Sequence, residues 1–206
     1  MNIDRVTVIY FVALIVAVIL HEIAHGVVAL WFGDDTAKRA GRLTLNPVPH
    51  IDPLGSIILP ALVALAHIPG IAWAKPVPVN PARLRHQRRD MLFVSLAGPA
   101  MNFLLASVAA VATRAMVRAG DTGIVVDFVW YFAVVNLFLG VFNFLPIPPL
   151  DGAALIERVL PREWLPGWYR FRQYGFLVLF LLVFATGFPS RVFQPFLDHL
   201  RHFVTG

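Results

Sequence analysis

Residues 6–32 read VTVIYFVALIVAVILHEIAHGVVALWF, an apolar segment in which Glu22 is the only formally charged side chain. An ionisable residue at membrane depth is costly and is by default a sign of function. On a helix, His21 and His25 are four residues apart and share a face, so their imidazoles can bind one metal ion. Glu22 is then placed to take a proton from a water molecule that the metal binds. We therefore expect a zinc hydrolase site inside a membrane, rather than a chance match on a soluble amphipathic helix.

The composition is that of an integral membrane protein. Of the 206 residues, 58% are hydrophobic and only 14% are charged, with a mean hydropathy of +0.72, whereas a soluble domain averages about a quarter charged. Crossing a bilayer takes about 20 apolar residues. The candidates are residues 6–32, 91–113, 128–150 and, as the weakest, 173–190. The sequence predicts an all-α polytopic membrane protein with about four transmembrane helices, in a single domain over residues 1–206.

Cysteine content and charge exclude other classes. The chain has no cysteine, which excludes disulfides, thiolate metal sites and cysteine nucleophiles. The net charge of +5 does not indicate nucleic acid, because the basic residues cluster in loops beside apolar segments, most densely in residues 75–89. The positive-inside bias of membrane proteins explains such clusters. We expect the lipid bilayer as a partner, and no nucleic acid.

Two shorter segments differ from plain apolar helices. Residues 42–45, Arg-Leu-Thr-Leu, alternate in polarity and predict a short β segment. Residues 53–74 carry no charge but contain Pro60 and the turn pair Pro69-Gly70. This composition fits either a further span or a re-entrant hairpin, in which non-helical backbone is covered by protein or lines a water cavity.

Two histidines do not complete a catalytic zinc site, which usually has three protein ligands. Asp151 is the candidate for the third. It ends an otherwise uncharged span, follows a proline-rich break that can bend the chain inward, and precedes Gly152. A surface carboxylate, where a helix leaves the membrane, would fit the same position equally well. The residues alone leave both interpretations of Asp151 open.

Three motifs carry a resemblance to a known family. They are His-Glu-Ile-Ala-His at 21–25, Ala-Gly-Pro-Ala-Met-Asn-Phe at 97–103 and Asn-Phe-Leu-Pro-Ile-Pro-Pro-Leu-Asp-Gly at 143–152. In these motifs and their order the chain resembles the site-2 protease family of intramembrane zinc metalloproteases. Residues 46–55 and 75–81 resemble the compact prokaryotic branch of that family, which has no PDZ or CBS domain.

The resemblance implies one zinc ion per chain, with His21, His25 and Asp151 as its ligands and Glu22 as the general base. It also implies that Asn143 polarises or holds the scissile peptide. The expected reaction is hydrolysis of a peptide bond in or near the transmembrane helix of a membrane-protein substrate.

Two other functions remain as alternatives. The first is a non-catalytic zinc-binding membrane interaction protein, which would have no use for Glu22. The second is a zinc transporter, which would need further intramembrane ligands along its path.

The depth of the expected ligands bears on the topology. If residues 53–74 formed a full span, the helices over 6–32 and 128–150 would run antiparallel. At about 1.5 Å per residue, His21 and Asp151 would then be separated by something like 20 Å in depth. Zinc–ligand bonds are only about 2 Å long. A re-entrant hairpin over residues 53–74 removes the conflict.

The basic residues favour the same topology. With the hairpin, twelve of the 17 Lys and Arg residues lie on one face and five on the other, against ten and seven if residues 53–74 are a span. The positive-inside bias then places the twelve in the cytoplasm and the N-terminus outside. We expect the zinc site and the short β segment near the cytoplasmic face, in a membrane that we take to be the prokaryotic plasma membrane.

Overall fold

The computed structural model of the protein describes residues 4–52, 55 and 75–206, and its regular elements there are all helical. The α-helices are α1 (Arg5–Trp31), α2 (Thr36–Arg39), α3 (Gln87–Arg118), α4 (Ile124–Phe144), α5 (Ala153–Val159), α6 (Leu165–Arg172), α7 (Gly175–Thr186) and α8 (Phe188–Thr205). Short 3₁₀ turns cover Val48–His50, Pro81–Arg83 and Arg162–Trp164. The predicted all-α class is confirmed for this part of the chain.

Helices α1, α3 and α4 are long and apolar enough to cross a membrane. Their 27, 32 and 21 residues correspond to about 40, 48 and 31 Å of helix, against a hydrocarbon core of about 30 Å. Helix α1 begins at Asp4, whose side chain accepts a hydrogen bond from the Thr7 backbone N–H at 2.7 Å. Helix α4 ends at Phe144, because Leu145 precedes Pro146 and takes the extended backbone that this position favours.

The fourth expected span, over residues 173–190, is not a single helix. Helix α7 has 12 residues, about 18 Å, which is too short to cross a bilayer alone. It ends at Gly187, which adopts the left-handed conformation with φ +60° that glycine takes at little cost. Helix α8 then begins at Phe188. The described residues therefore contain three spanning helices rather than four.

The strand expected over residues 42–45 is also absent, since the structure has irregular backbone and bends there. A strand needs a neighbour for its backbone hydrogen bonds, and no strand occurs anywhere in the described ranges. Arg42 is instead buried, and its Nη2 donates to the carbonyl of Lys75 at 2.6 Å. The alternation reflects a loop that packs on another loop.

Helices α1 and α4 run in the same direction, and α3 runs against both. Arg5, at the start of α1, pairs with Asp127 in the first turn of α4 at 2.9 Å. Ala29, near the end of α1, packs with Val94, near the start of α3. The bundle thus has an Arg5 end, with the starts of α1 and α4, and a Phe144 end, with their C-termini and the start of α3. This is the relative direction that the expected zinc ligands require.

Small side chains set the helix spacing toward the Arg5 end. Ala13 and Ala17 of α1 pack against Val135 of α4, and small residues let helices in membranes approach closely. Helix α8 lies against the same end of the bundle, where its side chains contact α3 and α4. The buried residues of that contact are Ala109, Ala110, Ala133, Leu200 and Val204.

The chain between α1 and α3 returns to the place from which it leaves. The backbone N–H of Lys75 donates to the carbonyl of His50 at 2.9 Å, and that of Arg85 donates to the carbonyl of Phe32 at 3.1 Å. We call the first of these bonds the His50–Lys75 clasp. The hairpin expected over residues 53–74 lies outside the described residues, except for Gly55.

Candidate metal centre

His21 and His25 lie one turn apart on α1 and face the interior of the bundle. Their side chains are buried, with residue exposures of 7% and 8%, and their Nε2 atoms are 3.0 Å apart. The spacing of four residues that suggested a shared metal ion therefore does bring the two nitrogens to one point.

The other ring nitrogen of each histidine meets an oxygen atom of α3. Nδ1 of His25 lies 2.7 Å from the backbone carbonyl of Val94, and Nδ1 of His21 lies 2.5 Å from Oδ1 of Asn102. Because a carbonyl can only accept, His25 carries its proton on Nδ1. The lone pair of His25 Nε2 is then directed at the shared point, which is how metal-ligating histidines are held.

Asp151 joins this pair from the loop after α4. Its Oδ2 lies 3.1 Å from Nε2 of His21 and 3.4 Å from Nε2 of His25. The turn that carries it is tied back to the helix, because the Gly152 backbone N–H donates to the carbonyl of Asn143 at 2.7 Å. Of the two interpretations that the sequence left open, the geometry favours the inward one.

The segment that follows Asp151 is fastened to the start of α3. Arg88 donates from Nε to the carbonyl of Glu157 at 2.8 Å, and from Nη2 to the carbonyl of Leu160. These carbonyls belong to the last turn of α5 and its C-cap, where backbone acceptors have no partner within the helix. The loop bearing Asp151 is therefore held at both ends.

The three converging atoms fit a metal ion. His21, His25 and Asp151 form a group whose ligand atoms lie within 4.8 Å of one another. A tetrahedral zinc site with bonds of about 2.0–2.1 Å has ligand atoms about 3.3 Å apart, and the observed separations are 3.0, 3.1 and 3.4 Å. Oδ2 of Asp151 is buried without a hydrogen-bond partner. Acceptor atoms that face one another repel through their lone pairs, whereas a cation placed between them would be attracted to all three atoms.

Two glycines make the convergence possible. A Cβ atom at Gly98 of α3 would lie 2.4 Å from Nε2 of His25 and 2.6 Å from Nε2 of His21. A Cβ atom at Gly152 would lie 2.2 Å from the carbonyl oxygen of Phe144. Any side chain at the first position would occupy the space beside the ligand atoms, and any at the second would displace the turn that carries Asp151.

Glu22 lies beside this group but takes no part in it. Its Oε2 accepts a hydrogen bond from the Val77 backbone N–H at 2.7 Å. The loop that supplies this N–H is fixed in turn, because the buried carboxylate of Asp34 accepts from the Asn80 backbone N–H at 2.6 Å. The Glu22 carboxylate is thus oriented by a backbone group from outside its own helix.

The side chain of Asn143 makes its hydrogen bond within its own helix rather than to the cluster. Its Nδ2 donates to the carbonyl of Leu139, one turn earlier in α4, at 3.1 Å. No hydrogen bond among the described residues joins its side chain to His21, His25 or Asp151. The contribution to the site that the structure does show is made by its backbone carbonyl, which holds Gly152.

Sequence reasoning missed two contributors from α3. Asn102 of α3 and Asn136 of α4 join their helices by a hydrogen bond of 2.9 Å. The contact of Asn102 with His21 was not expected, and neither was the close approach at Gly98. The signal that could have found both is their spacing: Gly98 and Asn102 are four residues apart, so both face α1.

The comparisons with known proteins agree with this geometry. The profile of peptidase family M50 matches residues 115–186. A Bacillus subtilis protein named "Putative zinc metalloprotease YwhC" is 42% identical over 194 residues, which cover 91% of this chain and 84% of that protein. The chain belongs to peptidase family M50. No solved structure matches the chain.

Two mycobacterial relatives of this M50 chain are each named "Putative zinc metalloprotease Rip2". The protein from Mycolicibacterium smegmatis is 34% identical over 179 residues, 85% of this chain and 66% of the relative. The one from Mycobacterium tuberculosis H37Rv is 35% identical over 181 residues, 83% and 64%. The M50 assignment confirms the resemblance to site-2 proteases. The chain is a membrane-embedded zinc metalloprotease, and the non-catalytic alternative is set aside.

Proposed function

We propose that the protein hydrolyses a peptide bond in or near the transmembrane helix of a membrane-protein substrate, with His21, His25 and Asp151 as zinc ligands and Glu22 as the general base. The convergence of three buried ligand atoms from α1 and the loop after α4 is the observation that carries the proposal. An ordinary structural zinc site is closed by four protein ligands, whereas three leave the fourth position for water.

His21, His25 and Asp151 would hold a zinc ion, which when bound would supply a water of lowered pKa and polarisation of the scissile carbonyl. The chain's own residues do the rest. His21, His25 and Asp151 fix the position of the metal, and Glu22 takes a proton from the attacking water and delivers it to the leaving amine. Because the Val77 N–H holds Oε2, we assign the transferred proton to Oε1.

The buried position of the site restricts the substrate. His21 lies ten residues before the end of α1, which corresponds to about 15 Å of helix. A substrate helix that reaches this depth must unwind locally, because an intact helix keeps its carbonyls in hydrogen bonds. We propose that the Asn143 side chain leaves the Leu139 carbonyl and holds the unwound peptide, since an amide both donates and accepts without a charge to desolvate.

We further propose that residues 53–74 are a re-entrant segment and that the Phe144 end of the bundle faces the cytoplasm. The His50–Lys75 clasp supports the first part, because a segment that crosses the membrane ends on the opposite face from its start. The distribution of 12 and five basic residues supports the second. In a prokaryote this membrane is the plasma membrane.

Single cysteines test the topology in this cysteine-free chain. The exposed residues Ala40 and Ala82 flank the segment, and exposed Asp121 lies between α3 and α4 at the Arg5 end. An impermeant maleimide added to whole cells should label Asp121→Cys and leave Ala40→Cys and Ala82→Cys unlabelled until the membrane is opened. Labelling of Ala40→Cys and Ala82→Cys from opposite sides would contradict the re-entrant segment.

The Glu22→Gln variant tests the reaction. It removes the base but no metal ligand, so cleavage should stop while zinc content stays that of the wild type. Glu163→Gln, an identical change at an exposed position, is the matched control and should retain activity. Full-length membrane proteins that accumulate in Glu22→Gln cells are the substrates to test with purified enzyme. Turnover by a folded, zinc-loaded Glu22→Gln protein would remove Glu22 from the mechanism.

A further inference from the structure

A chain of side-chain hydrogen bonds crosses all three spanning helices at the depth of the metal centre. Nδ2 of Asn136 donates to the backbone carbonyl of Phe132 at 2.8 Å, and Nδ2 of Asn102 donates to Oδ1 of Asn136 at 2.9 Å. Oδ1 of Asn102 then lies 2.5 Å from Nδ1 of His21. Both asparagines are completely buried, with exposures of 0%.

The direction of every bond in this chain follows from its first member. The Phe132 carbonyl cannot donate, so the Asn136 atom that faces it must be the amide nitrogen. The oxygen of Asn136 therefore faces Asn102 and must receive a donor, which can only be the amide nitrogen of Asn102. The oxygen of Asn102 is then left for His21, and an oxygen there requires a proton on Nδ1 of His21. A backbone carbonyl of α4 thus determines which ring nitrogen of a residue on α1 is protonated.

We propose that Asn136 is a positioning residue for the metal centre: through Asn102 it fixes the proton of His21 on Nδ1 and keeps Nε2 available for the metal. The inference rests on the proposed role of His21 as a zinc ligand. It gives Asn136 a task beyond joining two helices, although among the described residues its side chain hydrogen-bonds only to Asn102 and Phe132 and to none of the three proposed ligands.

The two histidines differ in the kind of group that orients the imidazole ring through its Nδ1. His25 is held directly by the backbone carbonyl of Val94, which cannot reverse its polarity. His21 is held by a side-chain amide, which can turn over and present a nitrogen instead of an oxygen. A turned amide would donate to Nδ1 and favour the proton on Nε2, where it blocks metal binding. Asn136 prevents this, because its fixed oxygen would face the oxygen of a turned Asn102.

Two substitutions at Asn136 separate this role from simple packing. Asn136→Leu keeps the approximate volume but removes the acceptor for Asn102. Asn136→Asp keeps that acceptor in either protonation state and, as a neutral acid, also donates to the Phe132 carbonyl. Thr113→Val is the matched control, because Thr113 is a buried polar residue of α3 whose hydroxyl bonds only its own helix, at Ala109.

The first measurement is the zinc dissociation constant of the full-length protein in detergent, obtained by competition with a chelator. Loss of a partner that orients a metal-binding histidine typically costs 10–100-fold in affinity. We expect weakening by about 10-fold in Asn136→Leu, with Asn136→Asp and Thr113→Val close to the wild type. Equal affinity of wild type and Asn136→Leu would overturn the proposal, and so would equal weakening of Asn136→Leu and Asn136→Asp.

The second measurement needs no variant that perturbs folding. Nitrogen-15 NMR of histidine-labelled, zinc-loaded wild type reports which ring nitrogen of His21 carries the proton, and we expect Nδ1. A proton on Nε2, or zinc bound through Nδ1, would refute the inference while leaving the metal centre intact. A wild-type protein that binds no zinc would instead refute the proposed function, so the two failures are distinguishable.

Discussion

The two ends of the same helical bundle are packed in different ways. At the Arg5 end, α1 and α4 meet through Ala13, Ala17 and Val135, and the ion pair of Arg5 with Asp127 lies on the surface. At the depth of the metal centre, by contrast, buried polar contacts join the helices, from His21 to Asn102 and from Asn102 to Asn136. The difference shows how the sequence accommodates costly groups: His21, Asn102 and Asn136 enter the bundle where each one meets a partner from a neighbouring helix.

The same three helices thus have two roles, which are helix spacing toward the Arg5 end and metal binding at the metal centre. Alanine contacts fix the distance between helices without any requirement on protons or charge. The metal centre depends on this helix spacing, because α3 already approaches His21 and His25 so closely at Gly98 that even a Cβ atom would not fit there. Substitutions at the metal centre should therefore change zinc binding and turnover, whereas substitutions at the Arg5 end should change only the stability of the fold.

The largest effect is expected from Asp151→Ala. It deletes one of three proposed ligands and leaves two imidazoles that bind a metal weakly, so purified protein should lose most of its zinc and all of its activity. Metal content by atomic emission checks this, with Asp121→Ala at an exposed position as the control. Full zinc occupancy in Asp151→Ala would exclude this carboxylate from the ligand set.

Asn143→Ala should come next, with turnover reduced by about 10²–10³-fold and zinc retained, as for the loss of one hydrogen bond to a reacting peptide. If the amide serves only its bond to Leu139 within α4, the change should instead lower the stability slightly and leave turnover near normal. Cleavage rate, zinc content and melting temperature measured on one preparation decide between these outcomes.

Gly98→Ala should weaken zinc binding and destabilise the fold by about 1–3 kcal/mol, the usual cost of an extra methyl group in a filled space. The added Cβ would overlap the ligand nitrogens of both histidines. Gly167→Ala is the control, since nothing lies within 4 Å of its added Cβ. If both alanine variants bind zinc like the wild type, the approach of α3 to the histidines is looser than described.

The smallest effect is expected from Arg5→Ala. The side chains of Arg5 and Asp127 are 57% and 45% exposed, and exposed ion pairs contribute about 0–1 kcal/mol. Melting temperature should fall slightly, and the zinc dissociation constant should not move. A change in zinc affinity would show that the two ends of the bundle are coupled, against the separation of tasks argued above.

What the sequence predicted well is what is encoded locally. His21 and His25 share a face because any helix places residues four apart together, and α1, α3 and α4 follow from long, mostly apolar segments. The fourth span over residues 173–190 was not confirmed, because Gly187 ends α7 early, which a hydropathy pattern does not detect. The strand at 42–45 was not confirmed, because alternation does not reveal whether a partner strand exists.

The rest of the site depends on tertiary packing. Asp151 could not be assigned from spacing, since its inward position is set by the bond from Gly152 to Asn143 and by Arg88, 63 residues earlier in the chain. The contact between Asn102 and His21 joins residues 81 apart. The role of Asn143 came from a resemblance, and the geometry described here does not test it.

The His50–Lys75 clasp makes the region between α1 and α3 a natural place for the chain to change in length. Doubling a loop whose ends are already pinned together costs only about 0.6 kcal/mol, and the helices on either side keep their positions. His21 and His25 on α1 and Gly98 on α3 can therefore keep their positions when residues are inserted into or deleted from the segment between these helices. The length of that segment can therefore change while the ligand-bearing residues on either side of it keep their places.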